Sequence, residues 1–275
     1  MRPPLQITST ANPRVKALVR LRTRKERRAQ GLVLIEEPLV IERALAARVA
    51  AVEVWACPQQ MDTAAAALYT GITAAGVPAI EVPPPVMDKI AYRESSEGLL
   101  LVARRSEPVL ADFRLPGSRA ALLLVLENVE KPGNLGAALR IADGAGAQAV
   151  ICNGEGADPG NPNCLRASRG AVFSVPAFEA TQAETVAWLA AHGVAMLAAT
   201  PENGRPWDAV DLTGPVALVL GAEHEGLSAA WLAAAPDRVA IPMAGAADSL
   251  NVAASAAVLL YEAVRQRRAA GRNAR

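Results

Sequence analysis

From Leu122 to Gln266 the chain alternates short, uninterrupted apolar runs with stretches of helical periodicity, and this alternation is its strongest structural constraint. Apolar runs without polar alternation belong to strands covered on both faces, and helices between them supply the covers. The pattern therefore predicts a buried parallel sheet. Strands are expected at Ala121–Leu126, Ala149–Cys152, Val172–Val175, Ala195–Ala198, Val216–Leu220 and Val239–Ile241. Helices are expected at Leu135–Ala145, Glu184–Ala191 and about Leu250–Gln266.

A similar alternation fills the N-terminal part. Leu32–Ile35, Val52–Ala56 and Leu99–Val102 read as strands, and Leu39–Ala47, Ala64–Ala74 and Met87–Ala91 as helices. Residues 106–118, with Pro108, Pro116 and Gly117, carry linker signals. The expected organisation is an α/β unit over 1–105, a linker over 106–118, a second α/β unit over 119–268 and a tail over 269–275. A chain of 275 residues is long enough for two such cores.

Hydrophobic residues make up 52% but aromatic ones only 4%, so the cores must be packed from Ala, Val and Leu. The longest apolar runs, Leu122–Leu126 and Val252–Val258, fall well short of the roughly 20 residues that span a bilayer. The N-terminus lacks the apolar segment of a secretory signal, which points to the cytoplasm. Cys57, Cys152 and Cys164 are far apart and show no metal or redox spacing, so they read as ordinary thiols and no metal is expected.

The chain carries a formal net charge of +1, yet Arg14–Arg28 holds eight basic residues against the single Glu26. Pro13, preceded by Thr8, Ser9 and Asn12, marks a helix start, and Val15, Leu18, Val19 and Leu21 follow at helical spacing. The segment reads as one basic helix. Its charged face is either simply solvated or a contact for phosphates.

Three segments place glycine and polar residues directly after an apolar strand, where open α/β sheets bind ligands. In ENVEKPGNLGAALRIADGAGA, from residue 127, Pro132 and Gly133 turn the chain and Asn134 is placed to cap a helix that carries Arg140. Arg140 among apolar neighbours calls for an anionic partner, though an arginine can also reach solvent or pair with Asp143. In LVLGAEHEGLS, from residue 218, Gly221 permits close backbone approach, Glu223 follows, and Ser228 caps a new helix. His224 has no accompanying nucleophile or metal ligand, which argues against a catalytic role. In IPMAGAADSLNVAASAAVLLYEAVRQ, from residue 241, Ser249 and Asn251 open a strongly apolar helix and suit capping as well as function.

Together, in this order and spacing, the three segments resemble the motifs of the SpoU family within the SPOUT class of methyltransferases. PNCLRASRGAVFSVP, with Asn163, Ser168 and Gly170, matches a further family signature, and the resemblance runs from Leu122 to Gln266. Residues 5–105, through ITSTANPRVKALVRLRTRKERR, more loosely resemble the family's N-terminal substrate-binding domain, a ribosomal-protein-like (L30e-like) α/β fold. Glu37 stands where that domain usually has Gly, and Ser96-Glu97-Gly98 stands in for Pro-Gln-Gly. These departures bear on which RNA is recognised rather than on the reaction.

The resemblance implies a catalytic domain with a deep trefoil knot. It implies S-adenosyl-L-methionine as cofactor, held largely by the backbone at Thr200, Leu220, Gly221, Ile241, Met243 and Leu250. It implies a reaction centre of Asn134, Arg140, Glu223, Ser249 and Asn251, and a homodimer joined through the knot region. The implied reaction is methyl transfer to a ribose 2'-hydroxyl of RNA. The N-terminal domain favours ribosomal RNA, most of all 23S, over transfer RNA. Implied RNA contacts are Arg14, Lys16, Arg22, Arg24, Lys25, Arg27, Arg28, Arg140, Ser168 and Arg169. A guanidinium is protonated at any ordinary pH, so Arg140 is better suited to holding a phosphate or a developing alkoxide than to acting as a base. A nicotinamide dehydrogenase is disfavoured because GNLGAA at 133–138 is not a dinucleotide fingerprint. A non-catalytic RNA-binding protein fits the N-terminal half alone.

Overall fold

The computed structural model describes residues 3–92, 96–117, 119–154, 156, 158–223 and 225–273, without the side chains of 272 and 273. His224 and the last two tail residues lie outside the described residues. The chain forms two compact units. One runs through Ser106 and also takes Gly160–Phe173; the other comprises Glu107–Pro159 and Ser174 onward. Thus 160–173, inside the expected 119–268 domain, packs with the first unit. The reason is visible in the first unit's core, where Leu165 is buried and Val172 and Phe173 pack beside Val33, Ile35 and Val40.

The first unit contains β1 (Leu5–Gln6), β2 (Leu32–Glu36), β3 (Ala51–Ala56), β4 (Ala79–Glu81) and β5 (Leu99–Arg104). They form one sheet in the order β1-β4-β3-β5-β2, with β5 antiparallel to both its neighbours and the remaining pairs parallel. Successive side chains point to opposite faces. Leu34 and Trp55 therefore enter a core with Leu18, Ile80 and Met87, whereas Val33, Ile35 and Val54 enter the other.

The basic segment is two helices, Pro13–Arg20 and Arg24–Gln30, rather than one. Thr23 caps the second by accepting a hydrogen bond from the Glu26 amide at 3.4 Å. Arg27 explains the break. Its guanidinium is buried and donates to the carbonyls of Leu21 at 2.8 Å and Arg22 at 2.7 Å, satisfying groups that the end of the first helix leaves open.

The second unit contains β6 (Leu122–Glu127), β7 (Ala149–Asn153), β8 (Ala177–Glu179), β9 (Ala195–Ala199), β10 (Arg205–Pro206), β11 (Val216–Leu220) and β12 (Asp237–Ala240). All pairs are parallel, in the order β10-β12-β9-β11-β6-β7-β8. The strand expected at Val172–Val175 is absent. Ala171–Phe173 is a single 3-10 turn, closed by the Ser168 hydroxyl accepting from the Gly170 amide, and the strand comes later, at Ala177–Glu179. Helices 132–145 and 252–273 pack on each other, the first also against β7 and the second against β11. The C-terminal helix is fastened by Arg267, whose guanidinium donates to the carbonyls of Ala120, Ala121, Leu212 and Gly214.

The three cysteines are buried and form no disulfide. No described helix is long and apolar enough to cross a membrane, and the described residues contain no cluster suited to a metal.

Candidate functional site

The loops that follow β9, β11 and β12 enclose a cavity of about 390 Å³ at the carboxyl ends of these strands. Thr200, Leu220, Gly221, Ile241 and Leu250 line it, and so do Glu223 and Ser249; Met243, expected beside them, does not. Parallel strands bring these segments together because adjacent strand ends point the same way. Among the described residues, the lining includes the carboxylates of Glu202, Glu223, Glu225 and Asp248 and no lysine or arginine. Its field favours a ligand with cationic character.

Gly221 serves the loop itself. A Cβ there would lie 2.1 Å from the Gly226 carbonyl group, so the absent side chain lets the chain fold back on itself rather than making room for a ligand. Ala222 and Gly226 then exchange backbone hydrogen bonds of 3.1 and 3.0 Å. Two further contacts fix this loop. The buried Glu127 carboxylate, at the end of β6, accepts from the Ser228 amide at 2.8 Å, and Ser228 in turn caps helix 229–234 by accepting from the Trp231 amide. The Lys131 ammonium contacts the Glu223 carboxylate at 2.6 Å. Sequence reasoning missed Glu127 and Lys131. A carboxylate closing an otherwise apolar strand was the available signal for Glu127; nothing local marks Lys131.

Asn134 does not cap its helix. Lys131 occupies the cap position without a side-chain hydrogen bond, Pro132 opens the helix, and Asn134 sits within the first turn. Proline's fixed φ and missing amide suit that first position and move the start upstream. Arg140 lies on the same helix, exposed, and makes no hydrogen bond or ion pair among the described residues, Asp143 included. Asn251 is the cap of helix 252–273, its side chain accepting from the Ala254 amide at 2.8 Å. Asn134, Arg140 and Asn251 do not line the cavity.

The expected RNA contacts divide sharply. Arg27 is internal. Arg22 donates to the carbonyls of Lys89 and Ala91, closing the end of helix 84–90. Arg14 pairs with Glu53, and Arg24 and Arg28 are also engaged. Ser168 is buried with its hydroxyl donating to the Leu165 carbonyl, so it shapes a turn and presents nothing to RNA. Lys16, Lys25 and Arg169 are exposed with free side chains among the described residues.

A family model described as SpoU rRNA Methylase matches residues 121–261. The chain belongs to the SpoU rRNA methylase family. A second model, an MRM3-like substrate binding domain, matches residues 12–101 of the first unit. Solved structures also resemble this one. An RNA 2'-O ribose methyltransferase is 44% identical, superposes with a TM-score of 0.83, and covers 96% of this chain and 99% of its own. An AdoMet-bound rRNA methyltransferase from Sinorhizobium meliloti is 30% identical, with a TM-score of 0.84 over 94% of this chain and 97% of its own. Among curated relatives, the 23S rRNA (guanosine(2553)-2'-O)-methyltransferase RlmP of Bacillus subtilis is 30% identical over 93% of this chain and 98% of its own length.

Proposed function

We propose that this protein methylates a ribose 2'-hydroxyl of 23S ribosomal RNA with S-adenosyl-L-methionine as donor. The observation that carries the reading is the cavity at the ends of β9, β11 and β12, which combines apolar walls at Leu220, Leu227 and Ile241 with carboxylates and, among the described residues, no lysine or arginine. That composition fits a ligand with an adenine ring at one end and cationic sulfonium and ammonium groups at the other. When bound, the sulfonium supplies an already activated methyl group, so the protein's task is alignment.

This chain's residues divide that task. The backbone at Thr200, Leu220 and Ile241 lines the donor side, Glu223 and Ser249 stand on the same wall, and Asn251 fixes the start of the helix that follows. Arg140, unpaired among the described residues, binds the target's phosphate and stabilises the developing alkoxide, with Asn134 six residues before it on the same helix. Because Arg140 lies outside the cavity lining, a homodimer in which one subunit's arginine serves the other's cavity accounts for its exposure. The trefoil knot, the L30e-like character of the first unit and cytoplasmic residence belong to the same reading. Lys16, Lys25 and Arg169 are the RNA-backbone contacts that the structure leaves available.

The test uses tritiated S-adenosylmethionine with ribosomal and transfer RNA from cells lacking the gene. Label is expected in 23S RNA, and Arg140→Ala should remove it at least 100-fold, on the order of one lost transition-state charge contact, with cofactor affinity kept. Absence of cofactor binding, or label confined to transfer RNA, would overturn the reading.

A further inference from the structure

Helix 162–167, in the stretch that packs with the first unit, ends on two characteristic bonds. The Arg169 amide donates to the Arg166 carbonyl at 2.8 Å, and the Gly170 amide donates to the Leu165 carbonyl at 3.3 Å. This pair is the Schellman closure of a helix, in which the residue after the cap is left-handed and usually glycine. Here that residue is Arg169, with φ 49°, and the glycine follows one place later as Gly170, itself left-handed with φ 83°. A side chain at the first of these positions costs stability that glycine would not. Such conformations persist only where the surroundings over-determine them, and they gather at functional contacts.

Arg43 supplies the constraint. It lies on helix 38–46 of the same unit, and its guanidinium donates to the Arg169 carbonyl at 2.6 Å. A Cβ on Gly170 would lie 2.9 Å from the Arg43 Cβ and 3.0 Å from its Cδ, so the missing side chain lets the arginine stem lie along the turn. The buried Ser168 hydroxyl accepts from the Gly170 amide at 3.1 Å and holds the turn a second time. All of these bonds engage the backbone of 169 and 170. The Arg169 side chain is exposed and takes part in no hydrogen bond or ion pair among the described residues. Arg166, on the same helix, differs: its guanidinium donates to the Asn163 side chain at 3.3 Å.

We propose that Arg43 is a positioning residue for RNA binding, fixing the left-handed turn at Arg169 so that the Arg169 guanidinium is presented to a backbone phosphate. An arginine kept where glycine would be more stable exchanges stability for a cation at a set place. A backbone fixed before binding removes part of the ordering cost of the contact. Arg43 acts through the Arg169 carbonyl and touches no phosphate itself. The assignment rests on the RNA methyltransferase reading above.

The test measures binding and stability separately from methyl transfer. The full chain, saturated with S-adenosylhomocysteine, is titrated with a 23S ribosomal RNA transcript, and each variant's melting temperature is recorded. Arg169→Gly should melt higher than the native chain, bind RNA about tenfold more weakly and lose about one phosphate contact from its salt dependence. Arg43→Met keeps the stem and removes the donor. It should weaken RNA binding about fivefold in the native background and leave it unchanged in the Arg169→Gly background, because the two residues act as one unit. Arg43→Lys, which can still donate to the carbonyl, should recover most of the affinity. The proposal is overturned by an Arg169→Gly variant that melts lower or binds RNA as the native chain does. It is equally overturned by an Arg43→Met loss that persists in the Arg169→Gly background, since Arg43 would then contact the RNA directly. If RNA is bound with the expected pattern but takes up no tritium from S-adenosylmethionine, the methyltransferase reading falls and the Arg43–Arg169 assignment stands.

Discussion

The Glu127 carboxylate accepts a hydrogen bond from the Ser228 backbone amide at 2.8 Å, joining the last residue of β6 to the cap of the helix that follows the adjacent β11, 101 positions away. Glu127 is buried, and the contact ties Ser228, at the end of the loop after β11, to the end of β6. Glu127→Ala leaves the amide without an acceptor. We expect a stability loss of about 1–3 kcal/mol. Cofactor affinity should fall roughly tenfold, equivalent to about 1.4 kcal/mol. Calorimetric titration with S-adenosylhomocysteine checks this, and unchanged affinity in a folded variant would refute the positioning role.

Gly221→Ala should be more damaging than its size suggests. The added carbon meets the Gly226 carbonyl at 2.1 Å, a backbone clash that only opening of the Ala222–Gly226 pair relieves. Cofactor binding should be lost while the protein remains folded. Gly71→Ala is the matching control. It adds a methyl in open space within helix 63–74, and thermal unfolding should show a gain of about 1 kcal/mol.

Glu37 holds φ 70° and ψ 124°, a conformation that side chains disfavour and glycine adopts readily. Glu37→Gly should stabilise the first unit by about 1 kcal/mol. Denaturant unfolding measures the change, and a loss would show that the glutamate's own contacts outweigh its backbone strain.

Arg27 and Lys25 sit two residues apart and should behave oppositely. Arg27→Ala removes two charge-assisted hydrogen bonds to Leu21 and Arg22 and opens a buried space, at a cost of about 3 kcal/mol read by thermal melting. Lys25→Ala should leave the melting temperature unchanged and lower the salt dependence of RNA binding by about one phosphate contact. A stable Arg27→Ala variant that loses RNA affinity would reverse this division.

Much of the fold is written locally. Continuous apolar runs such as Val216–Leu220 can only be strands covered on both faces, and periodic segments such as Leu135–Ala145 can only bury one side, so the α/β class and most element positions follow from the sequence. The three loop motifs were legible for the same reason, because each follows a strand that the apolar pattern marks. Tertiary structure decided what depends on distant partners. Arg27, identical in type to its exposed neighbours, is internal because the carbonyls of Leu21 and Arg22 turn toward it. Residues 160–173 follow a strand of the second unit yet complete the core of the first, since Leu165 finds its apolar cover there. Lys131 and Glu223 stand 92 positions apart and meet only because β6 and β11 are neighbours in the sheet. Periodicity reports which side of an element is buried; which strand lies beside it is a property of the assembled sheet, and the cavity exists only there.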